Sequence, residues 1–210
     1  MKKTVLGLLL NVIALSGMAQ VQNLPAPDLL RQTNTVMQAL RDRKSVRSYA
    51  DKALSQQELS DLLWAAQGKN REDGRLTSPT AMNRQEIRVY VFTPSGVSLY
   101  DPQQNTLTPC ADGDHRDIVA SRQDFVKTAP VVLLLVGDWD KYGRTDEHAR
   151  MMVHCDAGIV SQNISLYCSA AGLATVPRGI MDGAAIKELL GLGENQTPIL
   201  NHPVGYPVSE

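Results

Sequence analysis

The sequence predicts an α+β fold, a mostly antiparallel sheet flanked by helices, and two observations carry that prediction. Segments with apolar residues at helical spacing occur near residues 35–42, 55–67 and 145–171. Strand-like runs at Ile87 to Phe92, Val97 to Tyr100 and Val131 to Val136 are interspersed with them without strict alternation, which disfavours a doubly wound parallel sheet.

Taken in order, residues 1–19 read as an export signal rather than part of the fold. Lys2 and Lys3 precede an apolar run from Val5 to Leu15, and Gly17-Met18-Ala19 supplies the small residues of a cleavage site after Ala19. The run is short for a membrane span and is broken by Asn11, so stable membrane insertion is not expected. An uncleaved interfacial anchor is the competing reading. The Lys-Lys start and short core have a bacterial character, which places the mature chain in the periplasm. Residues 20–34, rich in Gln, Asn and Pro, form an extended lead-in with Leu29 and Leu30 packed on the body, and the domain proper occupies 35–210.

A helix begins near Thr35, with Val36, Met37 and Leu40 at helical spacing, and ends as it delivers Arg43 to Tyr49. Ser55-Gln56-Gln57-Glu58 is a capping box, and Leu59, Leu62, Leu63 and Ala66 follow on one face up to Gly68. Ser78 to Gln85 is a polar loop. The strand from Ile87 turns at Thr93 to Gly96, returns through Val97 to Tyr100 and turns again at Asp101-Pro102 as a meander. A helix is expected over Asp114 to Phe125. Val131 to Val136, apolar throughout, suits a central strand buried on both faces.

The helix from about Thr145 to Ala171 is apolar over most of its circumference and so needs cover on several sides; a second subunit is the expected source. Ala174 to Val176 is short and β-like, Pro177-Arg178-Gly179 is a turn, and Asp182 caps a last helix. Pro198 to Leu200 and Pro203 to Pro207 close the chain in extended form.

At 210 residues and 43% hydrophobic, the chain has material for a substantial core. A formal net charge of -1 and a pI near 6.4 argue against a nucleic-acid partner, which needs a basic face. A small-molecule ligand is expected instead. Cys155 and Cys168 sit roughly 20 Å apart along one helix and cannot pair. The cysteines are read as buried thiols, with an intermolecular or Cys110-linked bond as the alternative. Among the histidines, His148 and His154 do not share a helix face, so no metal site is expected. No phosphate-binding glycine loop or nucleophile elbow is present.

The densest chemistry lies at Arg43 to Tyr49, where three cations and a hydroxyl fall within five residues, a pattern that suits a bound anion or a solvated basic surface. With the loop Ser78-Pro79-x-x-x-Asn83-x-Gln85 and the turn Pro177 to Gly179, it makes three polar segments in otherwise structural sequence. These segments, together with Asp156-Ala157-Gly158, Gln162-Asn163 and the closing Pro-x-Gly-Tyr-Pro, resemble the nitroreductase family of flavin enzymes. The resemblance runs from about Met37 to Pro207. Within the family it is nearest to the branch containing azoline-oxidising dehydrogenases, through Leu62 to Gly68, Gly96 to Asp101, Gly113-Asp114-x-Arg116 and the pair Lys141-Tyr142.

The resemblance implies FMN as cofactor and a homodimer with interface active sites. Arg43 and Ser45 would hold the phosphate and ribityl chain, and Arg47 the N1 and O2 edge of the ring. Ser78, Pro79, Asn83 and Gln85 form the second cofactor-binding segment, Asn83 facing the pyrimidine edge. The backbone of Pro177, Arg178 and Gly179 would approach N5 and O4. Many relatives carry basic residues beyond the Gly-Tyr-Pro segment, where this chain has Val208-Ser209-Glu210; either phosphate affinity is weaker here or Lys44 is the compensating cation. The implied activity is hydride transfer through the flavin to a small acceptor such as a nitro compound or quinone. The alternatives are a dehydrogenase in which Lys141 and Tyr142 are catalytic, and a flavin-binding dimer without activity.

Overall fold

The computed structural model describes residues 20–32 and 34–208; the expected signal segment lies outside them. Its centre is a seven-stranded sheet in which every pairing is antiparallel. The elements in chain order are β1 (Gln22–Asn23), α1 (Val36–Asp42), α2 (Gln56–Gln67), a 3-10 turn (Ala81–Asn83), β2 (Ile87–Thr93), β3 (Gly96–Asp101) and β4 (Thr106–Asp112). They are followed by α3 (Arg116–Ala120), a second 3-10 turn (Asp124–Thr128), β5 (Val131–Asp138), α4 (Trp139–Tyr142), α5 (Glu147–Ala170), β6 (Ala174–Thr175), α6 (Gly183–Leu190) and β7 (Gln196–Gly205). The strand order is β1-β4-β3-β2-β5-β7-β6.

The unbroken apolar run of β5 follows from its position. Val131, Leu133 and Leu135 belong to the core shared with α2 and α5, whereas Val132, Leu134 and Val136 belong to a second core under α3 and α6. Side chains alternate faces along a strand, so a strand covered on both sides is apolar at every position. Leu62, Leu63 and Ala66 of α2 and Val153, Ala157, Val160 and Ile164 of α5 fill the first core. The capping box of α2 forms as expected, the Ser55 hydroxyl accepting from Glu58 N–H at 3.2 Å and Glu58 accepting from Ser55 N–H at 2.8 Å.

Several expectations need correction, among them that of buried thiols: Cys110 and Cys155 are exposed and Cys168 is buried. The helix expected over Asp114 to Phe125 stops at Ala120, because Ser121 takes φ 52°, ψ -115° and turns the chain into the second 3-10 segment. In the lead-in, Leu29 and Leu30 are exposed and Leu24 is the buried leucine, since Gln22–Asn23 pair with β4 and seat Leu24 on the core. Val36, Met37 and Leu40 also face outward, and Ala39 alone is buried in α1. The last two extended pieces are one ten-residue strand, β7, with Pro198 and Pro203 inside it.

Candidate functional site

Arg43 ends α1: its N–H still reaches Ala39 O at 3.0 Å, but its ψ of 119° leaves the helix. The chain then runs extended beside β6, with Val46 N–H donating to Thr175 O at 3.0 Å and Ala50 N–H to Tyr206 O at 2.8 Å. Tyr49 anchors the segment. It is buried, and its hydroxyl lies 3.0 Å from Val46 O and 3.3 Å from Pro203 O. Gly205 makes room for it: a Cβ there would stand 2.6 Å from Pro130 Cδ and 3.2 Å from the Tyr49 ring. Val46 packs inward, and Arg43, Lys44, Ser45 and Arg47 remain exposed.

The charge of this segment is uncompensated. Arg41 forks onto Asp42 at 2.7 and 2.8 Å and uses the adjacent carboxylate. Among the described residues, Arg43, Lys44 and Arg47 form no ion pair. A cavity of about 340 Å³ lies alongside, bounded by Lys44, Val46, Ser165, Thr175 and Pro207. That is at the small end of ligand pockets, which run about 300–1,000 Å³.

Because β6 leads directly into Pro177–Gly179, the structure brings the first and third polar segments together. The Arg178 side chain points away from them. It is 6% exposed and donates to Gln123 Oε1 at 2.7 Å, Asn201 Oδ1 at 2.5 Å, Val119 O at 3.3 Å and Ala120 O at 3.2 Å. Its backbone N–H and C=O pair with Asn201 at 2.9 and 2.7 Å. The turn is thus fastened from behind. Gly179 is exposed, with no heavy atom within 4 Å of where a Cβ would stand, so backbone is what this turn presents outward.

The Ser78–Gln85 loop is elsewhere. Ala81 N–H donates to Asp156 Oδ2 on α5 at 2.9 Å, whereas the Arg43 segment abuts the other end of that helix, Ser169 Oγ donating to Ala39 O at 2.8 Å. From Asp156 to Ser165 and Ser169 is about 14–20 Å along the helix axis. Within one chain the second segment does not join the other two. Ser78 is buried with its hydroxyl unpartnered among the described residues, and Pro79 and Asn83 are exposed. The Gln85 amide is committed to Gly74 O at 3.0 Å and Asn83 Oδ1 at 3.2 Å.

Lys141 and Tyr142 sit on α4, near the same loop. Tyr142 is 3% exposed and belongs to the core, while Lys141 is exposed at residue level. Burial of the ammonium and the charge of Arg88 hold Lys141 below its ordinary pKa. Arg88 itself pairs with buried Asp138. Burial works against ionised Asp138, but the N–H of Lys141, the Gln196 amide and Arg88 outweigh it and keep that carboxyl below its usual range.

Two groups escape a reading of the sequence. Glu86, fully buried at the start of β2, is raised to about 8 by burial and by Asp156. An acid opening a strand reads as a solvent-side residue, and its contact on α5 is 70 positions away in the numbering. His202, also fully buried, holds Ser161 Oγ at 2.7 Å and Thr175 Oγ1 at 3.3 Å, and burial depresses it to about 3. Neutral and sealed, it ties α5 and β6 to β7.

A larger cavity, about 720 Å³, is bounded in part by Tyr49, Lys52, Arg116 and Lys127. Arg116 and Lys127 pair with Asp114 and Asp124, and Lys52 lies over the Tyr206 ring. Among the described residues, no group of three His, Cys, Asp or Glu is arranged to hold a metal, and no helix is long and apolar enough to cross a membrane.

These features coincide with a family. The nitroreductase pattern matches residues 40–206, and the chain belongs to the nitroreductase family. A protein of Methanocaldococcus jannaschii assigned as a nitroreductase is 31% identical over 176 residues, covering 79% of this chain and 88% of that one. The FMN reductase (NAD(P)H) of Bacillus subtilis is 25% identical over 190 residues, 83% of this chain and 66% of that protein. A crystal structure from Ralstonia eutropha, likewise assigned as a nitroreductase, superposes with a TM-score of 0.85 at 34% identity over 92% of this chain and 93% of that one. These similarities carry the family and not its azoline-oxidising branch.

Proposed function

We propose that the protein is an FMN-dependent oxidoreductase that acts as a homodimer and passes a hydride from a reductant, through the flavin, to a small acceptor such as a nitro compound or quinone. The observation that carries this reading is the group of unpaired cations, Arg43, Lys44 and Arg47, beside the open backbone at Gly179. That donor set fits a phosphorylated, electron-accepting ring. The flavin supplies the hydride chemistry, and the protein supplies position and charge. Arg43, Lys44 and Ser45 hold the phosphate and ribityl chain by charge-assisted bonds. Arg47 stands at the pyrimidine edge, where a cation favours the reduced ring. The Pro177–Gly179 turn presents its backbone to the ring, braced by Arg178.

A second subunit completes the site in this reading. The Ser78–Gln85 loop lies too far along α5 to reach its own chain's cations, and would serve the partner's flavin with Asn83. Val36, Met37 and Leu40 on α1, and Ile159 on α5, are exposed apolar side chains that a partner would cover. The name of the Bacillus subtilis relative, an FMN reductase, supports the choice of flavin. A periplasmic location, proposed from residues 1–19, favours a donor other than a diffusible nicotinamide.

The test is the visible spectrum of the purified protein before and after dithionite, together with FMN titration of the Arg47→Ala variant. Bound FMN that bleaches on reduction is expected. Loss of one charge-assisted bond worth about 1.5–3 kcal/mol should weaken FMN binding about ten- to a hundredfold. A colourless protein that takes up no added FMN would refute the reading.

One observation favours a second reading, a flavin-dependent dehydrogenase of a small or peptide-derived substrate: the lowered pKa of Lys141 suits a general base. Buried Tyr142 would then act by positioning α4. Turnover that survives Lys141→Ala removes this alternative.

A further inference from the structure

The seam between the Ser78–Gln85 loop and α5 buries two carboxyl groups together. Glu86 follows the loop directly, is fully buried, and has both carboxylate oxygens without a donor among the described residues. Asp156, 3% exposed, is its carboxylate neighbour on α5, and burial together with that neighbour raises the Glu86 pKa to about 8, which favours its protonated form at neutral pH.

The same Asp156 holds the loop. Its Oδ2 accepts Ala81 N–H at 2.9 Å, at the first residue of the 3-10 turn. At the loop's exit, the Glu86 carbonyl accepts Asp138 N–H at 3.0 Å. Between these two points the backbone is unfavourable: Met82, Asn83 and Gln85 take φ of 54°, 53° and 51°, a left-handed region that non-glycine residues rarely adopt. Conformations of that kind persist only where surrounding contacts enforce them. The Ala81 bond and the internal bonds from Asn83 N–H to Thr80 O at 3.0 Å and Gln85 N–H to Thr80 Oγ1 at 2.8 Å are those contacts.

We propose that Glu86 and Asp156 form a one-proton latch that positions the Ser78–Gln85 loop, and with it Asn83, for the flavin. With the proton present, a carboxyl–carboxylate hydrogen bond fixes Asp156 beneath the loop. Without it, two negative charges face each other in the core, and the relief available is rotation of Asp156 away from Glu86, which gives up the Ala81 bond. The strained turn then relaxes. The charged groups around the pair are few: Lys141 from α4 faces Glu86, and Lys141 is in turn faced by Arg88 of β2, Asp138 of β5 and Asp101 of β3. Arg88 is occupied by Asp138, which leaves Lys141, among the described residues, as the cation able to oppose release.

Glu86 and Asp156 are positioning residues in this scheme, and the proton-dependence separates them from merely structural ones. The experiment has two arms on the full purified chain: amide hydrogen exchange of residues 79–86, corrected for intrinsic rates, and FMN affinity, each followed from about pH 6 to about pH 9. The titration midpoint near 8 at Glu86 sets the scale. One proton with that midpoint gives a change of about tenfold between pH 7 and pH 9. Protection of the Ala81 amide should fall by that factor, and FMN affinity with it.

In Glu86→Gln, and in Asp156→Asn, one charge of the pair is gone and both curves should be flat. The second arm rests on the flavin reading and the first does not. A protein that binds no FMN but loses Ala81 protection with rising pH keeps the latch and discards the flavin. Ala81 protection that stays constant to pH 9 in the wild type would overturn the latch, and that measurement decides even where neither variant folds. Persistence of the wild-type pH dependence in folded Glu86→Gln would overturn it equally, by assigning the proton to Lys141 or another group.

Discussion

Replacing Arg178 by Met tests how the Pro177–Gly179 turn is held. The guanidinium donates to four acceptors, the side chains of Gln123 and Asn201 and the carbonyls of Val119 and Ala120, the last two at the C-terminal end of α3. It also lies 5.5 Å from the centre of the Phe125 ring. All of these partners are neutral, and burial of the cation lowers its pKa, so the bonds repay a desolvation cost as well as joining three elements. Met fills much of the same space but leaves the acceptors without a donor. Each buried acceptor left without a donor costs about 1–3 kcal/mol, and four of them set against the desolvation of the cation leave a net loss of about 3–5 kcal/mol. For a domain of this size each kcal/mol lowers Tm by about 2–4 °C, so the melting temperature should fall by roughly 6–20 °C. The assay is a circular-dichroism melt of the flavin-free protein, with Arg178→Lys beside it; lysine keeps the charge without the fork and should recover part of the loss. A Met variant melting within about 2 °C of the wild type would refute the bracing role.

Two further predictions concern pH and stability. The folded pKa of Glu86 is raised above that of a free carboxyl, so the folded state keeps a proton that the unfolded state loses, and stability contributed by this site falls as pH rises from about 4.5 to about 8. Glu86→Gln should therefore gain on the wild type across that window by a few kcal/mol at most in urea titrations, at about 1.4 kcal/mol per unit; a difference independent of pH would refute it. His202 is displaced the other way. Its folded pKa is depressed to about 3, so the stability it contributes is present above about 6.5 and is lost as pH falls toward 3. In the His202→Gln variant, acid unfolding followed by fluorescence should lose that part of its pH dependence; an unchanged acid limb would place the proton uptake elsewhere.

What was legible in the sequence was whatever depends on neighbours along the chain. The capping box at Ser55 and Glu58 and the apolar face behind it specify α2 locally, and the uninterrupted run at Val131 to Val136 identifies a strand with a core on each side. The limits have the same origin. Helical spacing on α1 shows that Val36, Met37 and Leu40 share a face, but not what covers it, and among the described residues that face is exposed. The break at Ser121 carries no glycine or proline to announce it. Arg178 stands out in the sequence as part of a polar turn, yet its acceptors lie at 119, 120, 123 and 201, so the direction of its side chain is a property of the fold alone. Glu86 went unread because its partner Asp156 meets it only once β2 is laid against α5.

In the proposed flavin site, the geometry of α5 is the reason two chains would be needed. The helix is 24 residues long, about 36 Å, and the cations and the Ser78–Gln85 loop touch it at places 14–20 Å apart, by about 1.5 Å per residue. An eight-residue loop, fully extended out and back, reaches about 13 Å. This loop is not extended: Thr77 N–H is held by Gly68 O at 2.8 Å before it, and Ala81 is held by Asp156 within it. It therefore cannot reach its own chain's cations without unfolding the seam. In the proposed dimer, a second copy related by a two-fold axis across α5 would bring the loop end of one helix to the cation end of the other, and the same approach would cover the apolar faces of α1 and α5. Dimerisation and cofactor binding would then be one event, and the unpaired cations of a single chain half of a site.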